Sequence, residues 1–322
     1  MRFAVIGKGS PAEDFGRARD SFLFECEAKG LSPHTIVFYR RYLDCLGEFL
    51  NRAGVSAPSC VTRELLRTYV EEVRQRPTFG GRDRSDGGRP VAPRTVNCHT
   101  VTVKAFFRYL TREGYLPADA AEGLTQMRQP QKVIGAFTQQ QVRALLAQPN
   151  RTTFAGLRDH AVMLLLLDTG LRLNEAVSLT LADVDWSQSV VTVRHPKGGR
   201  QRQVPLGRAA KRALWRYLDR RGEVPGQDLI FVTQTGDSLS PKTVQKAIQE
   251  YGRRAGIEGV RCSPHTFRHT FATWWLRNGG DVFTLQRILG HSSLEMVKRY
   301  LSLSTEDLQA AHRRWSPGDA LR

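Results

Sequence analysis

The sequence lacks any apolar stretch long enough to cross a membrane. Its longest uninterrupted run is Ala161–Leu167, far short of the roughly 20 residues a spanning helix needs. The opening residues, MRFAVIGKGSP, lack a basic segment followed by an apolar one, so no signal peptide is expected. Cysteine is sparse. Cys26, Cys45, Cys60, Cys98 and Cys262 are odd in number and scattered, and none stands in a C-x-x-C pair. That argues against a disulfide framework or a zinc ribbon and fits reduced thiols in a cytoplasmic protein. No internal repeat is visible. Acidic residues are in deficit, with 31 Asp and Glu against 48 Lys and Arg, a formal charge of +17 on 322 residues. So large an excess favours a polyanionic partner, of which nucleic acid is the commonest, because its phosphates release counterions to Lys and Arg. Charge alone also admits a basic protein with no such partner.

What is present reads as an ordinary globular chain, 40% hydrophobic and 25% charged, long enough for two domains. The first third is helical. Ser32-Pro33 has the form of an N-cap followed by proline at the first helical position, and Ile36, Tyr39, Leu43, Leu46 and Leu50 recur behind it at helical spacing. Thr62 can cap a second helix bearing Leu65, Leu66, Tyr69, Val70 and Val73. A third should run from Ala92-Pro93 to Arg112 with Val96, Val103, Phe107 and Leu110 inward. Between these two, Arg76–Pro90 is rich in Gly, Pro, Arg and Asp without periodicity, and reads as a mobile basic loop. The stretch 126–136 reads as a linker. Residues 12–125 then form an N-terminal helical domain, and 137–322 a second domain opened by the capping-box pattern Thr138-x-x-Gln141.

The second domain is mixed. A helix over Gly156–Asp168, a turn at Thr169-Gly170 and a short helix from Arg172 are followed by two strand-like stretches, Ser189–Arg194 and Arg202–Leu206. The pair Gly198-Gly199 between them suggests a hairpin. Helices follow over Arg208–Arg221, Ser240–Ala255, Ser263–Arg277, Asp281–Leu289, Ser292–Leu301 (opened by a second capping box, Ser292-x-x-Glu295) and Ser304–Arg314.

Three clusters in this domain carry chemistry. In TGLRLNEAVSL, Arg172 and Glu175 are three apart, neighbours on a helix, so the carboxylate can orient the guanidinium; an ordinary surface ion pair fits the same spacing. In SPHTFRHTFATWWL, His265 and Arg268 share one face near a helix N-terminus, where free N–H groups suit an anionic phosphate. His265 and His269 also have the spacing of helical zinc ligands. However, Thr266 replaces the Glu of H-E-x-x-H, and a guanidinium would sit beside the ion. In LGHSSLEMVKRY, His291 follows the helix-ending Gly290, and Tyr300 lies on the next helix. A lone helical tyrosine is usually packing; its company makes it a nucleophile candidate. Two arginines, two histidines and a tyrosine suit phosphoryl transfer. Guanidinium forks bind non-bridging oxygens and remain charged at any working pH, and a positioned acid must protonate the leaving oxygen. Lys197, in HPKGGRQRQVPL, is the candidate acid.

Together these pieces resemble the tyrosine recombinases, the phage-integrase and Xer family. The pieces are TGLR-x-x-E at Thr169–Glu175, the hairpin lysine with R-x-V-P at Arg202–Pro205, H-x-x-R-H at His265–His269, LGH at Leu289–His291, and Tyr300 nine residues later. The resemblance covers about Phe137 to Leu303 by motif. By pattern, the helical N-terminal part is similar to the family's SAM-like core-binding domain. It implies a mainly α fold with a small β-hairpin, in which a helical SAM-like domain precedes an α+β catalytic domain. It implies that Arg172 and Arg268 clamp the scissile phosphate, His265 acts as base or orienter, and His291 bonds a phosphate oxygen. Lys197 protonates the departing 5′-oxygen, Glu175 supports, and Tyr300 attacks to form a 3′-phosphotyrosine. No cofactor and no metal are implied. The implied partners are double-stranded DNA and further copies of the chain, as a tetramer on paired sites, in the cytoplasm of a prokaryote or from a phage or mobile element. One departure stands out: Pro196 precedes Lys197 where family hairpins often have glycine. The sequence leaves open a type IB topoisomerase relative and a catalytically silent accessory factor on the same fold. It also leaves open mobile-element integration as against chromosome-dimer resolution.

Overall fold

The computed structural model describes residues 11–78, 89–128, 135–194, 201–291 and 293–298, and a few positions between 309 and 318. The chain divides into two compact units, Met1–Gln131 and Lys132–Arg322.

Among the described residues, the first unit is built on four α-helices, α1 (Phe15–Ala28), α2 (Pro33–Arg52), α3 (Arg63–Gln75) and α4 (Pro93–Arg112). Their starts follow from local chemistry. Asp14, Ser32 and Thr62 each accept a hydrogen bond from a first-turn amide, and Pro33 and Pro93 occupy positions where the missing N–H costs nothing. The last three helices match the sequence reading. Helix α1 was not singled out there, because exposed Phe24 blurs the apolar stripe of Phe15, Ala18, Phe22, Leu23 and Cys26. The core gathers Leu43, Leu46, Leu66, Tyr69, Phe106 and Phe107, each fully buried and worth about 1.5–3 kcal/mol in transfer terms. The ends of the expected basic loop are not irregular: β1 (Pro77–Thr78) and β2 (Arg89–Pro90) pair antiparallel, and residues 79–88 lie outside the described ones. Asn97 on α4 holds the backbone of Met127 from both sides, its amide donating to the carbonyl at 2.9 Å and accepting from the N–H at 2.7 Å.

The second unit centres on α6 (Phe154–Thr169), which follows α5 (Gln139–Leu146) and is nearly apolar all round. Ala161, Val162, Met163, Leu165 and Leu166 are all buried. The Thr138–Gln141 capping box opens α5 as expected. After α6 come α7 (Leu173–Val177) and a three-stranded antiparallel sheet of β3 (Val184–Asp185), β4 (Val190–Val193) and β5 (Arg202–Pro205) in that order. Val191 faces Val204 and Val193 faces Arg202, which puts the three valines on the core side. The hairpin was legible in the sequence; β3 was not, being two residues long. Then follow α8 (Arg208–Arg221), α9 (Pro241–Arg254), α10 (Pro264–Arg277), α11 (Val282–Leu289) and the described turn α12 (Glu295–Lys298). Helix α8 runs antiparallel to α6. The Gly207 amide before it donates to Asp168 at the end of α6 (2.6 Å), while Tyr217 near its end packs on Phe154 at the start of α6. The expected cap Ser292 and most of the expected helix Ser304–Arg314 fall outside the described residues.

Candidate active site

The site is assembled where two chain turns and a helix converge. The first is the end of α6. Gly170 closes the helix in the left-handed region at φ 63°, and a Cβ there would lie 2.5 Å from the Phe271 ring, so this turn requires glycine. Two residues on, Arg172 caps α7. Its amide donates to Glu175 Oε2 at 2.8 Å and its Nη1 to Oε1 at 3.0 Å. The guanidinium remains 38% exposed, whereas Glu175 is mostly buried.

Glu175 also takes a second arginine that the sequence reading left without a role. Arg202, at the start of β5, donates Nη2 to Oε2 at 2.7 Å and Nη1 to Oε1 at 3.2 Å, and its Nε to the Ile288 carbonyl at 2.8 Å. Burial raises the Glu175 carboxyl, but the Arg202 hydrogen bonds, the Arg172 amide and the two guanidinium charges outweigh it. Its pKa therefore lies below the ordinary carboxylate range. The carboxylate stays ionised and fixes both guanidiniums.

The second turn is the end of α11. Gly290 is again left-handed, at φ 66°, and a Cβ there would press on the Arg202 guanidinium at 3.1 Å. His291 follows. Gln286 secures its backbone, accepting from the His291 amide and donating its side-chain amide to the His291 carbonyl, both at 3.1 Å. The third element is α10, capped by Ser263 with Pro264 behind it. Its buried Arg268 donates Nη1 to the Gly170 carbonyl at 2.7 Å, and Nη2 to the Leu289 carbonyl at 2.9 Å and to His291 Nε2 at 2.8 Å. A guanidinium only donates, so His291 accepts through Nε2 and carries its proton on Nδ1.

Arg202 and Arg268 thus read the adjacent carbonyls of Ile288 and Leu289. The Arg172–Glu175 pair and the Arg268–His291 pair are tied to the same two turns. His265 stands in the first turn of α10 with its side chain exposed, and His269 is half-buried. Lys197 and Tyr300 lie outside the described residues. The helical spacing of Arg172 and Glu175 was readable in advance. The bridge from Arg202 was not, because a strand residue 27 positions away carries no local signal.

Residues 136–307 match the phage integrase family, and residues 22–114 match the family's N-terminal SAM-like domain. The chain belongs to the phage integrase family. It is a tyrosine recombinase, an enzyme that cuts and rejoins DNA through a tyrosine. Its relatives include a tyrosine recombinase XerC of Chlamydia pneumoniae, 31% identical over 90% of this chain and 95% of the relative. A tyrosine recombinase XerD of Ralstonia nicotianae is 32% identical over 89% and 90%. In fold, this recombinase is similar to the structure of the XerH site-specific recombinase bound to a palindromic difH substrate. The TM-score there is 0.71 at 19% identity, covering 93% of this chain and 84% of the other.

Proposed function

We propose that this recombinase acts site-specifically, with Tyr300 as nucleophile and Arg172, Arg268 and His291 holding the scissile phosphate. The observation that carries the reading is the buried Arg268. It is fixed by two carbonyls and His291 at the turn that also presents Arg172, so two preorganised cations meet where a phosphodiester gains charge under attack. In this reading the Tyr300 oxygen bonds to phosphorus and the bond to the 5′-oxygen breaks. Tyr300 yields its proton to His265, or is oriented by it. Lys197 protonates the departing 5′-oxygen. A 5′-hydroxyl from a partner duplex then reverses these steps, expelling the tyrosine. One phosphoester replaces another at each step, so no external energy source is required. Glu175 positions Arg172, and His291 hydrogen-bonds a phosphate oxygen.

Residues 12–125 would serve as the core-binding domain, 126–136 as the linker and 137–322 as the catalytic domain, with four copies on two duplex sites in the nucleoid-bearing cytoplasm. The basic Arg76–Pro90 insertion supports integration or excision of a mobile element as the role. The Xer-named relatives, matched over nine-tenths of both lengths, favour chromosome-dimer resolution as the second reading.

The test is a nicked suicide duplex from DNA flanking the gene, incubated with the protein in EDTA. An SDS-resistant protein–DNA adduct is expected with the wild type and not with Tyr300→Phe. Tight, specific binding without an adduct would instead favour a silent accessory factor. Mapping the cleaved site separates the two roles. A site at the edge of an inserted element supports integration; a single chromosomal site supports dimer resolution.

A further inference from the structure

Helix α8 turns one face to α6, and its other face is exposed among the described residues. Ala210, Ala213, Leu214 and Tyr217 are buried, while Arg208, Arg212, Trp215 and Arg216 are exposed. Trp215 is 62% exposed, an unusual position for an indole, and meets only the edge of Trp186 at 6.4 Å among described aromatic rings. A shallow groove runs along this face, lined by Arg208, Lys211, Arg212, Trp215 and Arg216. The Lys211 ammonium anchors its inner edge, donating to the Trp186 carbonyl and, at 2.8 Å, to Ser189 Oγ.

Arg208, Arg212 and Arg216 recur every four residues, which aligns them on one side at steps of about 6 Å. Arg253 on α9 is held by Glu250 at 2.6 Å, but these three meet no carboxylate among the described residues. Like charges four apart on a helix repel each other, so the row is unfavourable until an anion lies along it. The positive surface extends further. The pKa of half-buried His160 on α6 is depressed by burial and then by the charges of Arg151 and Arg216, which places both cations beside it.

We propose that this face of α8 binds a single strand of nucleic acid, its phosphates along the arginine row and a base stacked on Trp215. A charged track with an exposed aromatic beside it is the composition of single-strand sites, where every base offers a π-face. A duplex would use the arginines but keep its bases stacked inside, leaving the indole without a function. Among the described residues, none of the arginines in the row shares the hydrogen bonds of Arg172, Arg202, Arg268 or His291, so the row can be altered without breaking those bonds.

The experiment measures anisotropy of the full-length protein with a short oligo(dT) and with an unrelated duplex, across salt concentrations. Trp215→Ala should weaken oligo(dT) binding about fivefold or more and leave duplex affinity within about twofold. Replacing Arg208, Arg212 and Arg216 together by Gln should weaken oligo(dT) binding further and lower its salt slope by about 2. Adduct yield on the nicked duplex should be unchanged in both variants, which separates this site from the tyrosine chemistry. Unchanged oligo(dT) binding in both variants would overturn the proposal. So would equal losses for strand and duplex in Trp215→Ala, or poly-glutamate competing as well as oligo(dT), which would mark a plain acidic-partner surface. Loss of the adduct together with the strand would place these residues in the cleavage site and overturn it as well.

Discussion

Arg202 and Glu175, 27 residues apart, are joined by two hydrogen bonds of 2.7 and 3.2 Å between a guanidinium and a carboxylate that are both largely buried. Because Arg172 shares the same carboxylate, the hairpin strand β5 sets the attitude of an arginine on α7. Arg202→Lys keeps the charge but cannot span both oxygens and the Ile288 carbonyl. Adduct formation should slow roughly 10- to 100-fold, with duplex affinity within about threefold. Glu175 would also lose part of the hydrogen bonding that depresses its pKa, so the acid limb of the rate profile should move to higher pH. A limb that stays put while thermal stability falls would reduce Arg202 to packing.

Among the described residues, Arg268 donates to three acceptors on two separate turns. Arg268→Lys can satisfy one or two of them, and adduct formation should fall by about 10²-fold or more. Arg268→Ala removes the donor from three buried acceptors and should also lower stability by about 3 kcal/mol. Single-turnover cleavage and urea unfolding check the two effects separately. Cleavage by the alanine variant at the wild-type rate would remove Arg268 from the phosphate clamp.

Gly170 supplies one of those acceptors from a left-handed backbone. Gly170→Ala introduces strain at φ 63° and a Cβ 2.5 Å from the Phe271 ring, so the turn must shift. Destabilisation of roughly 1–3 kcal/mol is expected, together with a cleavage defect that persists at low temperature where the variant is folded. Full low-temperature activity would show that the carbonyl need not stay in place.

In the first unit, Tyr69 and His99 share a buried hydrogen bond of 2.6 Å. Burial, then the charges of Arg76 and Arg41, push the His99 pKa down to about 4 from 6.5. The neutral ring accepts the phenol proton at Nδ1. The unfolded chain binds the proton more readily than the folded one, so the stability from this group is present above pH 6.5 and is lost as pH falls towards 4. Between pH 7 and pH 5 that loss is at most about 2 kcal/mol. Thermal unfolding should show a lower midpoint at pH 5 for the wild type and a smaller pH effect for His99→Gln. Equal pH effects in the two proteins would contradict the assignment.

Much of the fold was legible because helix starts are written locally. Ser32-Pro33, Thr62, Thr138 and Ser263-Pro264 each place a side-chain acceptor beside a helical run, and each caps a helix in the structure. The strands β4 and β5 were legible from their valines. Helix α1 escaped notice because the large exposed Phe24 interrupts its pattern, and β3 because two residues carry no period. At the site, Arg172 with Glu175 and His265 with Arg268 were readable as helical neighbours. The contacts that join the groups, from Arg202 to Glu175 and from Arg268 to Gly170 and Leu289, run between distant segments. Two of these acceptors are backbone carbonyls, which every residue has and no sequence pattern marks.

Where the chain enters the second unit, the buried Phe137 amide donates to Thr270 Oγ1 at 2.9 Å, and that hydroxyl donates in turn to the Thr266 carbonyl. Thr270 is two residues beyond Arg268 on α10. The Phe137 backbone is therefore held by the same turn of helix that carries the buried arginine, so one stretch of α10 fixes both the start of α5 and a cation of the site.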